Sequence, residues 1–251
     1  MKLIDLNIWA GQILVPLRKF IHENKEADIF CFQEVYKTES GEKFINVIKN
    51  APDARPDIYY QIEDLLPEHK GFFALTQNTT GLAIFVKKSI DVVENGNIFV
   101  YKQKDAMISG DPNTTGRNLQ FVKIKAGREY FLICNFHGIW AREGKKDSPQ
   151  RIEQSENISK FLTQRKENII LCGDFNLEPN TKSLAILEED LVNLIKKYSV
   201  KTTRTKLYDW FEKGDFYADY VLVSKDIKIL DFKVMQDEVS DHAPLLLEFD
   251  S

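Results

Sequence analysis

The sequence predicts an α/β chain in which two β-sheets pack together within one domain, residues 1–251. Three observations predict it. A strand–helix–strand order opens the chain, a turn-rich run of short apolar segments fills its middle, and no linker, repeat or low-complexity tract divides it. At 43% apolar over 251 residues, the chain can bury a large core.

The first strand reads as Leu3–Trp9, with Ile4, Leu6 and Ile8 on one face and Leu3, Asp5, Asn7 and Trp9 on the other. Ile13, Leu14, Leu17, Phe20 and Ile21 then recur at helical spacing, which predicts an amphipathic helix over Gln12–Lys25 with Pro16 in its first turn. Asp28–Val35 is the next strand, apolar on both faces until Gln33 and Glu34. Strand, helix and strand in that length make a crossover unit, so the two strands are parallel neighbours and Asn7 lies beside Glu34.

Gly41–Asn50 reads as a short helix with Phe44, Val47 and Ile48 inward. Ile58–Ile62, Phe72–Thr76, Gly81–Lys87, Val92–Tyr101, Leu119–Lys125 and Glu129–His137 read as strands paired antiparallel, with a hairpin tip at Ala126-Gly127. Gln150–Gln164 is a helix with Ile158, Phe161 and Leu162 on its apolar side. Ser183–Leu194 is a further helical stretch, and Ala218–Ser224, Ile227–Met235 and Leu245–Phe249 close the chain as strands.

Between the last two helices lies Asn168–Pro179, an apolar strand that breaks at Gly173 and presents Asp174 and Asn176 on one side of an extended backbone. The carboxyl end of a buried strand is where α/β folds place chemistry. Taken alone, the segment also reads as a plain strand-to-turn transition, since Gly, Asp and Asn are turn formers. Five other strand boundaries carry polar interruptions: Asn7, Glu34, His137, Asp219 and the pair Asp241-His242. If these ends share one rim, several carboxylates converge, and a cation or a proton must resolve their repulsion. An oxygen-rich donor set suits Mg²⁺ or Mn²⁺, ions that act on phosphate. Zinc is disfavoured, because no Cys or His pair has the required spacing.

Asn7, Gln33-Glu34, His137, Gly173-Asp174-Phe175-Asn176, Asp219 and Ser240-Asp241-His242, in this order, resemble the endonuclease/exonuclease/phosphatase superfamily of deoxyribonuclease-like phosphohydrolases. The resemblance spans the chain from Asn7 to the last strand. It implies a four-layer sandwich, two mixed β-sheets face to face with helices outside, and metal-assisted, in-line attack of water on a phosphoester. It implies Glu34 as main metal ligand, with Asp241 a second carboxylate at the metal or the partner that orients His242. Asn7 would bind the metal through water or hold Glu34. Asp174 would orient or deprotonate the attacking water, and Asn176 would donate to a phosphate oxygen. His242 would be the general base or a phosphate ligand. His137 would protonate the leaving oxygen or stabilise the pentacoordinate phosphorus, with Asp219 as the carboxylate that pairs with it. Arg117 precedes a strand as an arginine does in deoxyribonuclease-like members, and its fork of donors suits phosphate; a surface salt bridge is the alternative.

The substrate is less legible. Lys196, Lys197, Lys201, Arg204 and Lys206 form one basic stretch and Arg142, Lys145, Lys146 and Arg151 another, both flanking the inferred rim, with Trp140 and Trp210 in the same two loops. Such loops fit a nucleic-acid substrate, so the first reading is a metal-dependent nuclease or nucleic-acid phosphodiesterase. Against it stands a net charge of −4. The alternatives are a phosphatase or phosphodiesterase acting on an inositol phosphate, lipid head group or other small phosphoester, and a catalytically dead binding module, which the complete motif set disfavours. Cys31, Cys134 and Cys172 lie in apolar runs and form no framework. With no signal-peptide pattern and no apolar run near the roughly 20 residues of a membrane helix, the reading is a cytoplasmic protein with no membrane segment.

Overall fold

The structure, a computed structural model, describes residues 1–38, 53–77, 80–103, 115–141 and 144–250. The helix expected over Gly41–Asn50 lies outside the described residues, as does Arg142. β1 (Lys2–Asn7) and β2 (Ile29–Tyr36) are parallel neighbours in register from Leu3 opposite Ile29 to Asn7 opposite Gln33. α1 (Leu14–Glu23) makes the crossover between them.

A helix, not a strand, follows: α2 runs over Ile58–Leu65. Ile58–Ile62 is too short for a helical period to declare itself, and its aromatic and β-branched residues favour a strand. Packing decides otherwise. Ile58, Tyr59 and Ile62 form one buried face, and the Tyr59 ring sits 5.4 Å from that of Phe85.

β3 (His69–Gln77) and β4 (Thr80–Lys87) form an antiparallel pair beside β2. β5 (Asp91–Tyr101), β6 (Arg117–Ala126) and β7 (Glu129–His137) continue antiparallel, with Gly127 at positive φ in the β6–β7 turn. α3 (Pro149–Leu162) is capped by Ser148, whose side chain accepts from the Arg151 amide, with Pro149 just inside the helix. β8 (Asn168–Asp174) runs parallel to β7. The helical stretch expected over Ser183–Leu194 is cut short. α4 (Lys182–Glu188) is capped by Thr181 and Asp147, and Leu191–Asn193 then leaves the helix as β9, the edge strand beside β10 (Asp219–Ser224). α5 (Leu194–Lys197) follows β9. β11 (Ile229–Val234) and β12 (Leu245–Phe249) return to β1.

Two mixed, six-stranded sheets result, ordered β11-β12-β1-β2-β4-β3 and β5-β6-β7-β8-β10-β9, and they pack face to face. On the outer side of the first, Ile4, Leu6 and Ile8 meet Leu17, Phe20 and Ile21 of α1. Each such fully buried side chain contributes about 1.5–3 kcal/mol. The opposite face of β1 is buried too. Leu3 joins the cluster between the sheets, and a polar chain runs beside it. Gln33 Nε2 donates to Asp5 Oδ1 at 2.8 Å and to Asn135 Oδ1 at 2.8 Å, while Asn135 Nδ2 donates to the Phe32 carbonyl at 2.9 Å. Asn135 belongs to β7, so these bonds tie the two sheets together beneath the strand ends. Cys31, Cys134 and Cys172 are buried and free. Among the described residues no helix is long and apolar enough to cross a membrane.

Candidate active site

The centre forms where the carboxyl ends of β1, β2, β7 and β8 meet the start of β10 and the segment before β12. Asp174 is its hub. In the second sheet Asp174 is in register with His137 of β7 on one side and Asp219 of β10 on the other. Gly173 makes the local geometry: at φ +137° a Cβ there would lie 2.0 Å from the Phe136 carbonyl oxygen. Only glycine permits that approach. Beyond it, Asn176 adopts φ +52°, and its backbone amide donates to Asp174 Oδ1 at 2.9 Å. Asn176 Oδ1 is buried without a partner.

The first sheet faces this hub with Asn7 and Glu34. Asn7 Nδ2 donates to Glu34 Oε1 at 3.1 Å and to Asp174 Oδ2 at 3.0 Å, so one amide joins carboxylates of both sheets. Its oxygen accepts the Trp9 amide at 3.0 Å. Asn7 is thus in the geometry of a residue that holds Glu34. Glu34 sits where the β2–β4 register shifts, and adopts φ +56°, an uncommon conformation for a residue with a side chain.

Two imidazoles complete the hub. His137 Nε2 lies 3.5 Å and His242 Nε2 3.6 Å from Asp174 Oδ2. His242 Nδ1 donates to Asp219 Oδ1 at 2.7 Å. The pairing expected from the resemblance, Asp219 with His137, is therefore corrected: Asp219 orients His242. The reason is topological, since Asp174 stands between Asp219 and His137 in the sheet. Asp241 does not orient His242 either. Its Oδ2 accepts from Arg204 Nη1 at 2.7 Å, and its Oδ1 is 3.8 Å from His242 Nε2.

Arg204 is the residue that the sequence hid. It stood in a basic stretch, yet it is 5% exposed, with its guanidinium 4.0 Å above the Tyr208 ring. Its Nη1 also donates to His242 Nε2 at 2.5 Å. The one available signal was its setting, Thr203-Arg204-Thr205, an arginine between two β-branched threonines, unlike the rest of that stretch. Three of the other basic residues are engaged as well, while Lys146, Lys197, Lys201 and Lys206 are exposed. Lys145 pairs with Asp215 at 2.7 Å and Lys196 with Glu188 at 2.6 Å, while Arg151 donates to the carbonyls of Ile139, Gly144 and Lys146. Arg117 opens β6, two residues before Leu119, which pairs with Phe136 of β7, so it stands beside the strand end that carries His137. Trp140 and Trp210 are 40% and 53% exposed in the two flanking loops.

Burial raises the Glu34 carboxyl above its ordinary range, and the Asp241 and Asp174 charges raise it further. Burial also acts to raise Asp174, but His242, His137, Arg204 and Lys145 outweigh it and hold that carboxyl well below the usual range. His137 is pushed down to about 3, by burial first and then by Arg117, His242 and Arg204 against the pull of Asp174. It is neutral at pH 7. For His242, burial and Arg204 lower the proton affinity, while Asp219, Asp241 and Asp174 together raise it above its ordinary value. With Nε2 already accepting from Arg204, the ring carries its proton on Nδ1, and a second proton requires Arg204 to give up that contact.

A buried carboxylate raised by its neighbours, as Glu34 is, fits a divalent cation. Glu34 and Asp241 supply hard oxygens there, and ligand atoms of Asp174, Asp219 and His242 lie within 4.8 Å of one another. Asp219 is bonded to His242, Asp174 to Asn7 and the Asn176 amide, and Asp241 to Arg204, which leaves Glu34, with a single bond from Asn7, as the carboxylate most open to a cation.

Residues 6–242 match the model of the Endonuclease/Exonuclease/phosphatase family. No curated protein sequence matches the chain. Among solved structures, mannosyl-6-phosphatase of Bacteroides thetaiotaomicron VPI-5482 superimposes with a TM-score of 0.74 at 17% identity, covering 100% of both chains. A humanized D. rerio TDP2 gives a TM-score of 0.72 at 13% identity, over 100% of this chain and 99% of that one. Truncated Caenorhabditis elegans TDP2 gives 0.68 at 20% identity, over 100% and 97%.

Proposed function

Since the chain belongs to the endonuclease/exonuclease/phosphatase family and is thus a phosphoester-hydrolysing enzyme, we propose that it is a Mg²⁺- or Mn²⁺-dependent hydrolase of a small phosphoester. One observation carries the reading: Asp174 accepts from Asn7 and Asn176 and stands within 3.6 Å of two imidazoles, where both sheets meet. Glu34 and Asp241 would hold the cation, which supplies charge stabilisation to the phosphoryl oxygens. Asp174, held ionised, orients the attacking water. His242 accepts its proton at Nε2 once Arg204 turns away, and Asp219 stabilises the imidazolium through Nδ1. His137, neutral, donates a hydrogen bond to a phosphoryl oxygen, as does the Asn176 amide.

A small substrate is favoured over a nucleic-acid strand because Lys145, Arg151 and Arg204 are spent inside the protein and Lys196 pairs with Glu188, which takes four of the nine basic residues out of the track a polyanion needs. The likeness in fold to a mannosyl-6-phosphatase agrees with this choice. The nucleic-acid reading keeps the exposed Trp140 and Trp210 as stacking surfaces. A Mg²⁺/Mn²⁺ activity screen with a Glu34→Ala control separates the two. Its panel holds plasmid DNA, single-stranded DNA, RNA, bis-p-nitrophenyl phosphate, sugar phosphates and inositol phosphates. Turnover of small esters with intact polymers is expected. Polymer cleavage that the variant lacks would establish a nuclease instead.

A further inference from the structure

We propose that Arg204 joins Arg117 as a second guanidinium clamp for a terminal phosphate, so that the substrate class is a phosphomonoester; this rests on the hydrolase reading above. Arg204 is outside the ordered motif set that marks the site, and its geometry argues for more than an ion pair. The backbone around it is stitched to the segment that carries the centre: Thr205 N donates to the Asp241 carbonyl at 3.1 Å and Ala243 N to the Thr203 carbonyl at 2.9 Å. Tyr208 supports one face of the guanidinium, and Tyr208 is itself held by its hydroxyl donating to Asp215 at 3.1 Å. Tyr208 and Asp241 thus hold the guanidinium at the centre before any ligand arrives, and its contact to His242 Nε2 is the one released in turnover.

Nη1 alone serves both Asp241 and His242. Nε is buried and has no acceptor among the described residues. A buried charged donor left unpaired is costly, and a ligand oxygen is the natural remedy. Arg117 repeats the pattern from the second sheet: its Nε is also buried and unpartnered, and it opens β6 beside the end of β7 that carries His137. Two guanidinium groups with orphaned donors thus border one hub. A forked donor suits the oxygens of a phosphate. A diester has two unesterified oxygens and one charge. A monoester has three and nearly two charges, enough to engage both arginines as well as Asn176 and His137.

The test compares wild type, Arg204→Lys and Arg204→Gln in Mg²⁺. p-Nitrophenyl phosphate and bis-p-nitrophenyl phosphate are the substrates, and inorganic phosphate binding is measured by calorimetry on the same proteins. Both variants should lose at least tenfold more kcat/KM on the monoester than on the diester, since any effect through His242 and Asp241 is common to the two esters. Phosphate affinity should fall by a factor similar to the monoester loss. Circular dichroism checks folding. Should Arg204→Gln fail to fold, Arg204→Lys decides, because it keeps the charge beside Asp241 and lacks only the fork. Equal losses on both esters, or phosphate affinity unchanged in the folded variants, would overturn the clamp. If wild type hydrolyses neither ester, the hydrolase reading fails. The calorimetry then decides the clamp alone: weaker phosphate binding in the variants supports it, and no binding in wild type overturns it.

Discussion

Glu34 bears two separate penalties in the folded chain. Its backbone is left-handed at φ +56°, and its carboxyl is buried beside Asp241 and Asp174. A side chain in that backbone region costs about 1–2 kcal/mol. Glu34→Gly removes both penalties. We expect turnover to vanish while thermal stability rises by about 1 kcal/mol, read from activity and thermal melts on the same preparation. A lower melting temperature would mean that the carboxylate stabilises the fold. The Asp219–His242 bond makes a different prediction. His242→Ala should slow turnover by about 10²–10⁴-fold. Asp219 acts through that imidazole, so Asp219→Asn should add little in a His242→Ala background yet keep its full effect beside His137→Ala. If the double-mutant cycle shows the reverse, with Asp219 coupled to His137, the pairing seen at 2.7 Å is not the one used in catalysis.

At the scale of elements, the end of β8 sets the whole centre. Gly173 brings the chain against Phe136 of β7, and the turn after it delivers Asp174 and Asn176 to the hub. Gly173→Ala drives a methyl into the Phe136 carbonyl at 2.0 Å, a backbone atom that cannot move aside without separating β7 from β8. The strain should cost about 1–3 kcal/mol and lower kcat, because Asp174 moves with the strand. A variant with wild-type melting and wild-type kcat would show that the turn tolerates a side chain. This strand was legible in the sequence, since an apolar run ending in Gly-Asp-Phe-Asn marks both its body and its break. The crossover β1–α1–β2 was legible too, because its helical period extends over three turns. α2 was not. Five residues of Ile-Tyr-Tyr-Gln-Ile carry strand propensity and less than two turns of periodicity, and the choice falls to Phe85 and Phe73 packing on Tyr59. β9 escaped notice for a related reason: Leu191–Asn193 continues an apolar pattern, and only pairing with β10 shows that the helix has ended.

For the whole molecule, the candidate centre is a joint between two sheets. Asn7 and Glu34 belong to the first, His137, Asp174 and Asp219 to the second, and Asp241 and His242 enter just before β12 of the first. Their convergence could be anticipated from sequence because each interrupts an apolar strand at its end. Arg204 could not, because a buried guanidinium and a solvated one look alike in a basic stretch. The polar chain of Asp5, Gln33 and Asn135 was equally hidden, since period-two alternation assigns such residues to a solvent face and only the second sheet makes that face an interior. This joint has a consequence for stability. Without a cation, Glu34 and Asp241 repel across it. A divalent ion that binds the folded chain alone stabilises it by mass action, about 2.7 kcal/mol at a hundredfold excess over its dissociation constant. Mg²⁺ or Mn²⁺ should therefore raise the melting temperature of wild type, chelation should reverse the rise, and Glu34→Ala should be insensitive to both. Equal shifts in wild type and variant would place the cation elsewhere on the molecule and remove Glu34 from the ligand set, whatever the activity measurements gave.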